Sequence, residues 1–303
     1  EDYKEVRFFE RKVLPLFMKK CRWFGGKAKV ISKVSVHKTI ALKVEGDTHF
    51  LSIIEVDYVQ RLPELYFLPL TFTSAENILD RTEYTVQSVV CRAEIQATAG
   101  FIMDSCFDRS FRDSLFTSME KELRIKDDSG GVLQFNAGVF SKMGPNKTVE
   151  SKILKSDQSN TAIIYNDQYF FKFYRKLEKE INPDLEIVRF LSEHTTFQNS
   201  PRYAGSVEYR DADGKAIVFG LLQEKVDNQG EAWGMSVDSV GRYYERVITK
   251  SRGLKLPKLI NKPAIRFEYA PEHIQEFIGR GFYERVARLG QRTAEMHMAL
   301  ASD

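Results

Sequence analysis

Residues 162–191 read AIIYNDQYFFKFYRKLEKEINPDLEIVRFL, and they specify the architecture more clearly than any other part of the chain. Two runs of apolar and aromatic residues flank Asn166-Asp167, which predicts a β-hairpin over 162–165 and 169–174. Asn182-Pro183-Asp184 then predicts a helix start, with an Asn N-cap, a proline in the first turn and an acid against the helix dipole. We therefore predict a hairpin followed by a helix that turns Leu185, Val188 and Leu191 inward.

The segments on either side extend this pattern. Downstream, the sequence predicts a hairpin formed by 205–210 and 216–222, and then only helices, over 236–250 and 271–300. Upstream it predicts a helix over 1–20 interrupted at Pro15, a hairpin over 31–58, strands within 84–103, a helix over 107–126 and a strand over 132–139. The fold class is thus α+β, with a mainly β part that gives way to a mainly α part near residue 225.

The composition limits the classes of protein to which the chain can belong. The 303 residues carry 45 basic and 42 acidic side chains, and this balance excludes the one-sign charge of a dedicated nucleic-acid or membrane binder. An apolar share of 43% excludes a disordered chain. The three cysteines, Cys21, Cys91 and Cys106, are too widely spaced for a metal knuckle. We expect at least two packed units in a soluble, cytoplasmic protein.

Lys172 is the first candidate for chemistry. On its strand Phe171 and Phe173 point one way and Lys172 points the other, where it needs an anionic partner. Glu186 follows 14 residues later, on the predicted helix. Enzymes of the protein-kinase type hold nucleotide phosphates with a strand lysine paired to a helix glutamate. The alternative is an edge-strand lysine in water and a chance spacing.

Two other segments fit a nucleotide site less specifically. The turn Gln158-Ser159-Asn160-Thr161 offers small polar residues whose backbone N–H groups can face phosphate oxygens. It lacks a glycine-rich motif, so an ordinary polar turn remains the alternative. Residues 222–226, at the end of the last predicted strand, offer backbone groups to an adenine edge, or form a plain strand end.

The remaining motifs favour structural roles. Trp23-Phe24-Gly25-Gly26-Lys27 is typical of a helix-to-strand turn with an aromatic anchor, which we prefer to a ligand site. The five histidines are scattered singly, so their spacing indicates neither a metal site nor a Ser-His-Asp or Cys-His arrangement.

Taken together, these segments resemble the bacterial maltokinases, including those fused to the C-terminus of trehalose synthase. The matching pieces fall in the family's order along nearly the whole chain: Arg22–Lys27, Gln158–Thr161, Phe171–Arg175, Asn182–Glu186 with Arg189–Leu191, Asn228–Gly230 with Trp233, and Leu289–His297. Each piece is short, but the ordered set is specific.

The resemblance implies a fold similar to aminoglycoside phosphotransferases and, more distantly, protein kinases, with an extra N-terminal cap domain. It implies transfer of the ATP γ-phosphate to the anomeric hydroxyl of maltose, giving maltose 1-phosphate for α-glucan and glycogen synthesis. It implies a cap over 1–90, a nucleotide-binding N-lobe over 91–225 and the first helices of a C-lobe over 226–303. It also implies an ATP site. In that site Ser159, Asn160 and Thr161 form the phosphate loop, Lys172 binds the phosphates and is oriented by Glu186, and Gln223, Glu224 and Val226 form the adenine hinge.

One departure from the family is large. The catalytic His-Gly-Asp loop and the metal-binding Asp-Phe-Glu do not occur in residues 1–303. We therefore expect the catalytic base and the Mg²⁺ ligands C-terminal to Asp303, and a chain that is inactive by itself.

Two rival functions remain open. The chain fits another small-molecule kinase of the aminoglycoside type, and it also fits a non-catalytic module that docks on trehalose synthase. We further expect apolar stripes on helices 236–250 and 271–300 to be exposed, and to cause dimerisation or aggregation. Neither nucleic acid nor membrane is expected as a partner.

Overall fold

The computed structural model describes residues 2–44, 47–78, 86–138, 149–154, 159–250 and 266–302. The chain divides into two compact units. The first unit comprises Glu1–Glu193 and Ser200–Lys225, and the second comprises His194–Asn199 and Val226–Asp303. Within the described ranges, no helix is both long and apolar enough to cross a membrane.

The first unit begins with an interrupted helix. Helix α1 (Asp2–Phe8) continues through a π-helical segment, Phe9–Val13, into α2 (Leu14–Lys20). Pro15 is the second residue of α2 and has no N–H to donate to the preceding turn, which is π-helical, with the Leu14 N–H donating to the Phe9 carbonyl. The predicted interruption at Pro15 is confirmed.

A first antiparallel sheet follows. It consists of β1 (Ile31–Val44), β2 (Asp47–Tyr58), β3 (Arg61–Ser74), β4 (Val89–Ile95) and β5 (Thr98–Asp104), in the order β1-β2-β3-β5-β4. The predicted hairpin over 31–58 is confirmed as β1 and β2, and the turn residues 45–46 lie outside the described ranges. Strand β3 was not predicted, although it lies at the centre of the sheet.

Helix α3 (Arg109–Glu120) then leads into a second antiparallel sheet. Its strands are β6 (Arg124–Lys126), β7 (Val132–Ala137), β8 (Ser151–Leu154), β9 (Asn160–Tyr165), β10 (Tyr169–Tyr174), β12 (Tyr203–Arg210) and β13 (Ala216–Glu224), in the order β6-β7-β12-β13-β10-β9-β8. The short strand β11 (Lys176–Leu177) pairs with β3 of the first sheet instead. Both predicted hairpins, β9–β10 and β12–β13, are confirmed.

The predicted helix over 107–126 is wrong at its end. Helix α3 stops at Glu120, and Glu122 adopts a left-handed conformation with φ of 49°. The last residues of the prediction turn back and pair as β6 with β7. The apolar residues at the end of the predicted helix therefore belong to a strand and not to the helix.

The two sheets share a core. Alternate residues of β1, β2 and β3 pack with the inner face of the second sheet and with α3: Ile40, Leu42, Leu51, Ile53, Leu65 and Phe67. The opposite face of the first sheet packs on α2 and Phe24. Both sheets belong to the first compact unit, so this division sets no boundary between them. The predicted domain limit after residue 90 stays a prediction.

Helix α4 (Pro183–His194) begins as predicted. The Asn182 Oδ1 atom accepts from the N–H groups of Asp184 (3.0 Å) and Leu185 (3.3 Å), which confirms the N-cap. Leu185, Val188 and Leu191 are buried, which confirms the inward face.

The second unit is helical, with α5 (Ala232–Lys250), α6 (Glu272–Ile278) and α7 (Arg280–Leu300). The prediction of one helix over 271–300 is wrong, because Gly279 takes a φ of 84° and separates α6 from α7. As expected, large apolar side chains of α5 and α7 are exposed: Trp233, Val237, Val240, Tyr244, Ile248, Val286, Leu289 and Met298.

Candidate nucleotide site

The candidate site is built on strand β10, in the middle of the second sheet. Phe171 and Phe173 are fully buried against the shared core, whereas the Lys172 side chain, on the opposite face, is 30% exposed. In the ladder Lys172 lies opposite Ala162 of β9 and Leu221 of β13. The predicted orientation of Lys172 is confirmed by this arrangement.

Lys172 forms an ion pair on this face. Its Nζ atom donates to Oδ2 of Asp184, in the first turn of α4, and the same oxygen accepts from the Tyr174 hydroxyl at 2.9 Å. Burial, reinforced by the Asp184 carboxylate, raises the pKa of Tyr174, so its hydroxyl stays protonated and donates. The result is a partly exposed lysine held in a fixed position beside the first turn of α4.

The partner of Lys172 differs from the predicted one. The structure brings Lys172 to Asp184, whereas Glu186 is exposed and is not paired with Lys172. Two residues along a helix rotate a side chain by about 200°. Since the first turn of α4 directs Asp184 at β10, Glu186 points away from the lysine.

The predicted phosphate turn is divided between the two faces of the sheet. Asn160 lies opposite Tyr174 and shares the face of Lys172, with Ser159 exposed just before it. Thr161 lies opposite Phe173, on the inner face, where its Oγ1 atom accepts from Nε of Arg175 at 2.8 Å. The Thr161 side chain is therefore turned away from Lys172, and Gln158 lies outside the described residues.

The predicted adenine-binding residues end β13. Gln223 and Glu224 pair with β10 in the ladder, and the Glu224 N–H donates to the Arg202 carbonyl at 2.9 Å. The first unit ends one residue later, at Lys225. Val226 opens the second unit with its side chain exposed, and its N–H has no acceptor among the described residues.

The cysteines and histidines supply no reactive centre here. Burial raises the pKa of Cys21 to about 12 and that of Cys106 well above its ordinary value, so both remain thiols. In the described part of the chain, no three His, Cys, Asp or Glu side chains are close enough together to hold a metal ion.

The turn at Trp23–Lys27 has the structural role that we preferred. Phe24 is buried and its ring lies 5.0 Å from that of Tyr66, between α2 and the first sheet. Gly26 has no room for a side chain, since a Cβ atom there would lie 2.3 Å from the Tyr58 hydroxyl.

Our sequence reasoning missed a buried charge beneath the site. Arg175 is fully buried, and its Nη2 atom donates to Oδ2 of Asp104 at 2.7 Å. Burial disfavours this charge, but the Asp104 carboxylate outweighs it and raises the pKa of Arg175. The alternation of Phe171 and Phe173 already places Arg175 on the inner face, which was the available signal.

A comparison with known families matches part of the chain. The family model for the maltokinase N-terminal cap domain matches residues 17–108. This segment contains the last four residues of α2 and strands β1 to β5 of the first sheet. It also contains Arg22–Lys27, the first of the short motifs on which the resemblance was based.

Solved structures of glucosamine kinases are also similar to this chain. A glucosamine kinase in complex with glucosamine, ADP and inorganic phosphate shares 15% identity at a TM-score of 0.45, covering 90% of this chain and 48% of that one. Crystal form B of a glucosamine kinase shares 14% identity at a TM-score of 0.48, covering 92% and 48%. The chain thus spans about half the length of these structures.

The predicted fold class is confirmed: antiparallel sheets, an N-terminal cap and a few C-terminal helices. The resemblance to maltokinases is confirmed over residues 17–108. Residues 17–108 of this chain therefore match the maltokinase N-terminal cap domain.

Proposed function

We propose that this chain is the cap and nucleotide-binding part of a maltokinase, which transfers the ATP γ-phosphate to the anomeric hydroxyl of maltose. The observation that carries the proposal is the partly exposed Lys172, held by Asp184 on the outer face of the second sheet. It occurs in a chain whose residues 17–108 match a maltokinase cap. Maltose 1-phosphate is the product.

The geometry supports a role for Lys172 in holding phosphates. A strand lysine fixed by an acid of the following helix is the arrangement with which protein-kinase-type enzymes hold ATP. We propose that Lys172 contacts the α- and β-phosphates and that Ser159 and Asn160, with the backbone at Thr161, face the phosphate oxygens. Asp184 fixes the lysine, a role that we expected of Glu186.

We further propose that the end of β13 meets the adenine ring. Gln223 and Glu224 supply the strand end. Val226 supplies a backbone N–H that has no acceptor among the described residues, and we propose that it donates a hydrogen bond to an adenine nitrogen.

The described residues do not provide the metal centre of this reaction. None of their His, Cys, Asp or Glu clusters fits Mg²⁺, so we assign no step of this chain to the metal. Residues 1–303 contain neither His-Gly-Asp nor Asp-Phe-Glu, so we assign the catalytic base and the Mg²⁺ ligands to no residue of this chain.

We also propose trehalose synthase as the fused domain or partner, and α-glucan or glycogen synthesis as the use of the product. Both follow from the maltokinase resemblance of the cap. Because the reaction consumes ATP, we place the protein in the cytoplasm.

The test is maltose-dependent ADP release by the full-length protein. Lys172→Ala is expected to reduce turnover about 100-fold or more, because a cation aimed at the phosphates is lost. Lys126→Ala is the matched control, since Lys126 is an exposed lysine at the far edge of the same sheet. Both variants should melt within a few degrees of the parent.

The outcomes separate the rival functions. Undiminished turnover in a folded Lys172→Ala variant would overturn the site assignment. Turnover of amino-alcohol or aminoglycoside acceptors, but not maltose, would identify a kinase of the aminoglycoside type. Co-purification with trehalose synthase that survives Lys172→Ala, without any ADP release, would identify a docking module.

A further inference from the structure

Arg175 is a charged side chain with no exposed surface, between the two sheets of the first unit. It donates from Nε to Oγ1 of Thr161 at 2.8 Å and from Nη2 to Oδ2 of Asp104 at 2.7 Å. Removing one partner from such a buried pair leaves an uncompensated charge or donor, which is strongly unfavourable. The three side chains are therefore fixed relative to one another.

The two partners of Arg175 come from different parts of the fold. Asp104 ends β5, within the segment that matches the maltokinase cap. Thr161 is the second residue of β9 and the last residue of the proposed phosphate turn. The backbone adds a further link, because the Phe67 N–H of β3 donates to the Arg175 carbonyl at 2.8 Å. Arg175 thus connects the cap sheet to the base of the phosphate turn.

We propose that Asp104 and Arg175 are positioning residues for the nucleotide. Through the Thr161 hydroxyl they fix the start of β9, and with it Asn160 and Ser159, at the distance from Lys172 that the phosphates require. The cap then contributes to ATP binding without touching ATP. This inference rests on the proposed function.

The key substitution is Thr161→Val, which keeps the side-chain shape and removes the acceptor for Arg175. In the full-length protein we expect it to raise the KM for ATP about tenfold, with kcat and the KM for maltose within about twofold. Thr161→Ser retains a hydroxyl and should reverse most of this loss. Asp104→Asn, which removes the carboxylate charge paired with Arg175, should also raise the KM for ATP.

Thr73→Val is the matched control. Thr73 is a buried threonine on β3 whose Oγ1 atom has no hydrogen-bond partner among the described residues. The same substitution there should leave the KM for ATP unchanged. If Thr161→Val folds and keeps the parental KM for ATP, the positioning role is overturned, since a purely structural bond would change only the melting temperature.

Trp23 offers a second readout should Thr161→Val fail to fold. Its ring lies 5.1 Å from the Arg175 guanidinium, and the other tryptophan of the chain, Trp233, is 78% exposed. In a Trp233→Phe background, Asp104→Asn is expected to change the emission of Trp23, because the Arg175 guanidinium beside its ring loses its anionic partner. If Asp104→Asn changes the emission of Trp23 but leaves the KM for ATP at the parental value, the positioning role is overturned.

Lys172→Ala separates this inference from the proposed function. If the parent protein binds ATP and Lys172→Ala does not, while Thr161→Val binds as the parent does, only the positioning role fails. If the parent protein does not bind ATP, the proposed function fails and this inference fails with it.

Discussion

Glu64 lies on β3 within reach of two lysines and a tyrosine. Its Oε1 atom accepts from Lys29 at 2.8 Å and Lys176 at 2.9 Å, and its Oε2 atom accepts from the Tyr66 hydroxyl at 2.9 Å. Burial alone would raise the pKa of Glu64, but these hydrogen bonds lower it from 4.5 to about 2. Since Lys176 lies on β11 and β11 pairs with β3, the carboxylate reinforces the pairing of β11 with the first sheet.

Glu64→Gln is expected to remove a pH-dependent part of the stability. A carboxyl group with a lowered folded-state pKa stabilises the fold above its unfolded pKa of 4.5, and this contribution is lost as the pH falls towards 2. The shift corresponds to about 3 kcal/mol at pH 7. Urea unfolding should show a deficit of that order at pH 7, which shrinks by more than half at pH 3.

The control for this measurement is Glu94→Gln, because Glu94 is an exposed glutamate on β4 of the same sheet. It should change stability by less than about 0.5 kcal/mol at either pH. A Glu64→Gln deficit that stays constant from pH 7 to pH 3 would contradict the assigned pKa.

Single residues show how far the site could be predicted. The strand alternation around Lys172 predicted its orientation. Neighbouring residues of a strand point to opposite faces, so the burial of Phe171 and Phe173 on one face turns Lys172 to the other. The partner of Lys172 was not predicted: the buried face of α4 fixes the rotation of the helix, but which residue of its first turns meets β10 depends on how α4 packs along the sheet. The inward side chain of Thr161 follows from the hairpin register, and it was missed because the prediction placed Thr161 in the turn and not in β9.

At the scale of elements, the hairpins and helix starts were predictable and β3 was not. Strand β3 is buried on both faces, so its residues 65–70 are almost all apolar and show no alternation. Pro63 and Pro69 also argue against a central strand. The break at Gly279 escaped prediction because one glycine inside a long helical pattern is usually tolerated.

The turn between α2 and β1 yields a test with a built-in control. Gly26→Ala would place a Cβ atom 2.3 Å from the Tyr58 hydroxyl and 2.5 Å from the Phe24 ring, whereas at Gly25 the nearest atom is the Tyr66 hydroxyl at 3.6 Å. We expect Gly26→Ala to cost about 1–3 kcal/mol in urea unfolding, and Gly25→Ala less than about 1 kcal/mol. Equal effects of the two would show that the turn relaxes freely.

The two units of the molecule differ in how much they bury. The first unit contains both described core clusters, whereas in the second α7 has no buried residue and α5 buries only Ser239. An apolar face of this extent is typical of a surface that contacts another protein surface.

We expect the 303-residue chain to self-associate through the apolar faces of the second unit. The double variant Ile248→Lys and Leu289→Lys, at side chains that are 71% and 67% exposed, should reduce the association in concentration-dependent light scattering. Leu62→Lys, at an exposed position of the first unit, is the control and should not. A monodisperse monomer that binds no hydrophobic dye would contradict this prediction.

The stacking of Phe67 on Phe219, with ring centroids 4.0 Å apart, has a consequence for biosynthesis. The two rings are about 150 residues apart, which a ribosome takes roughly 8–30 s to translate. During that interval the inner face of the first sheet has left the ribosome without the strands that cover it. We therefore expect the inner face of the first sheet to be accessible to chaperones and prone to aggregation until β13 emerges, and slow translation of the second sheet to lengthen this interval.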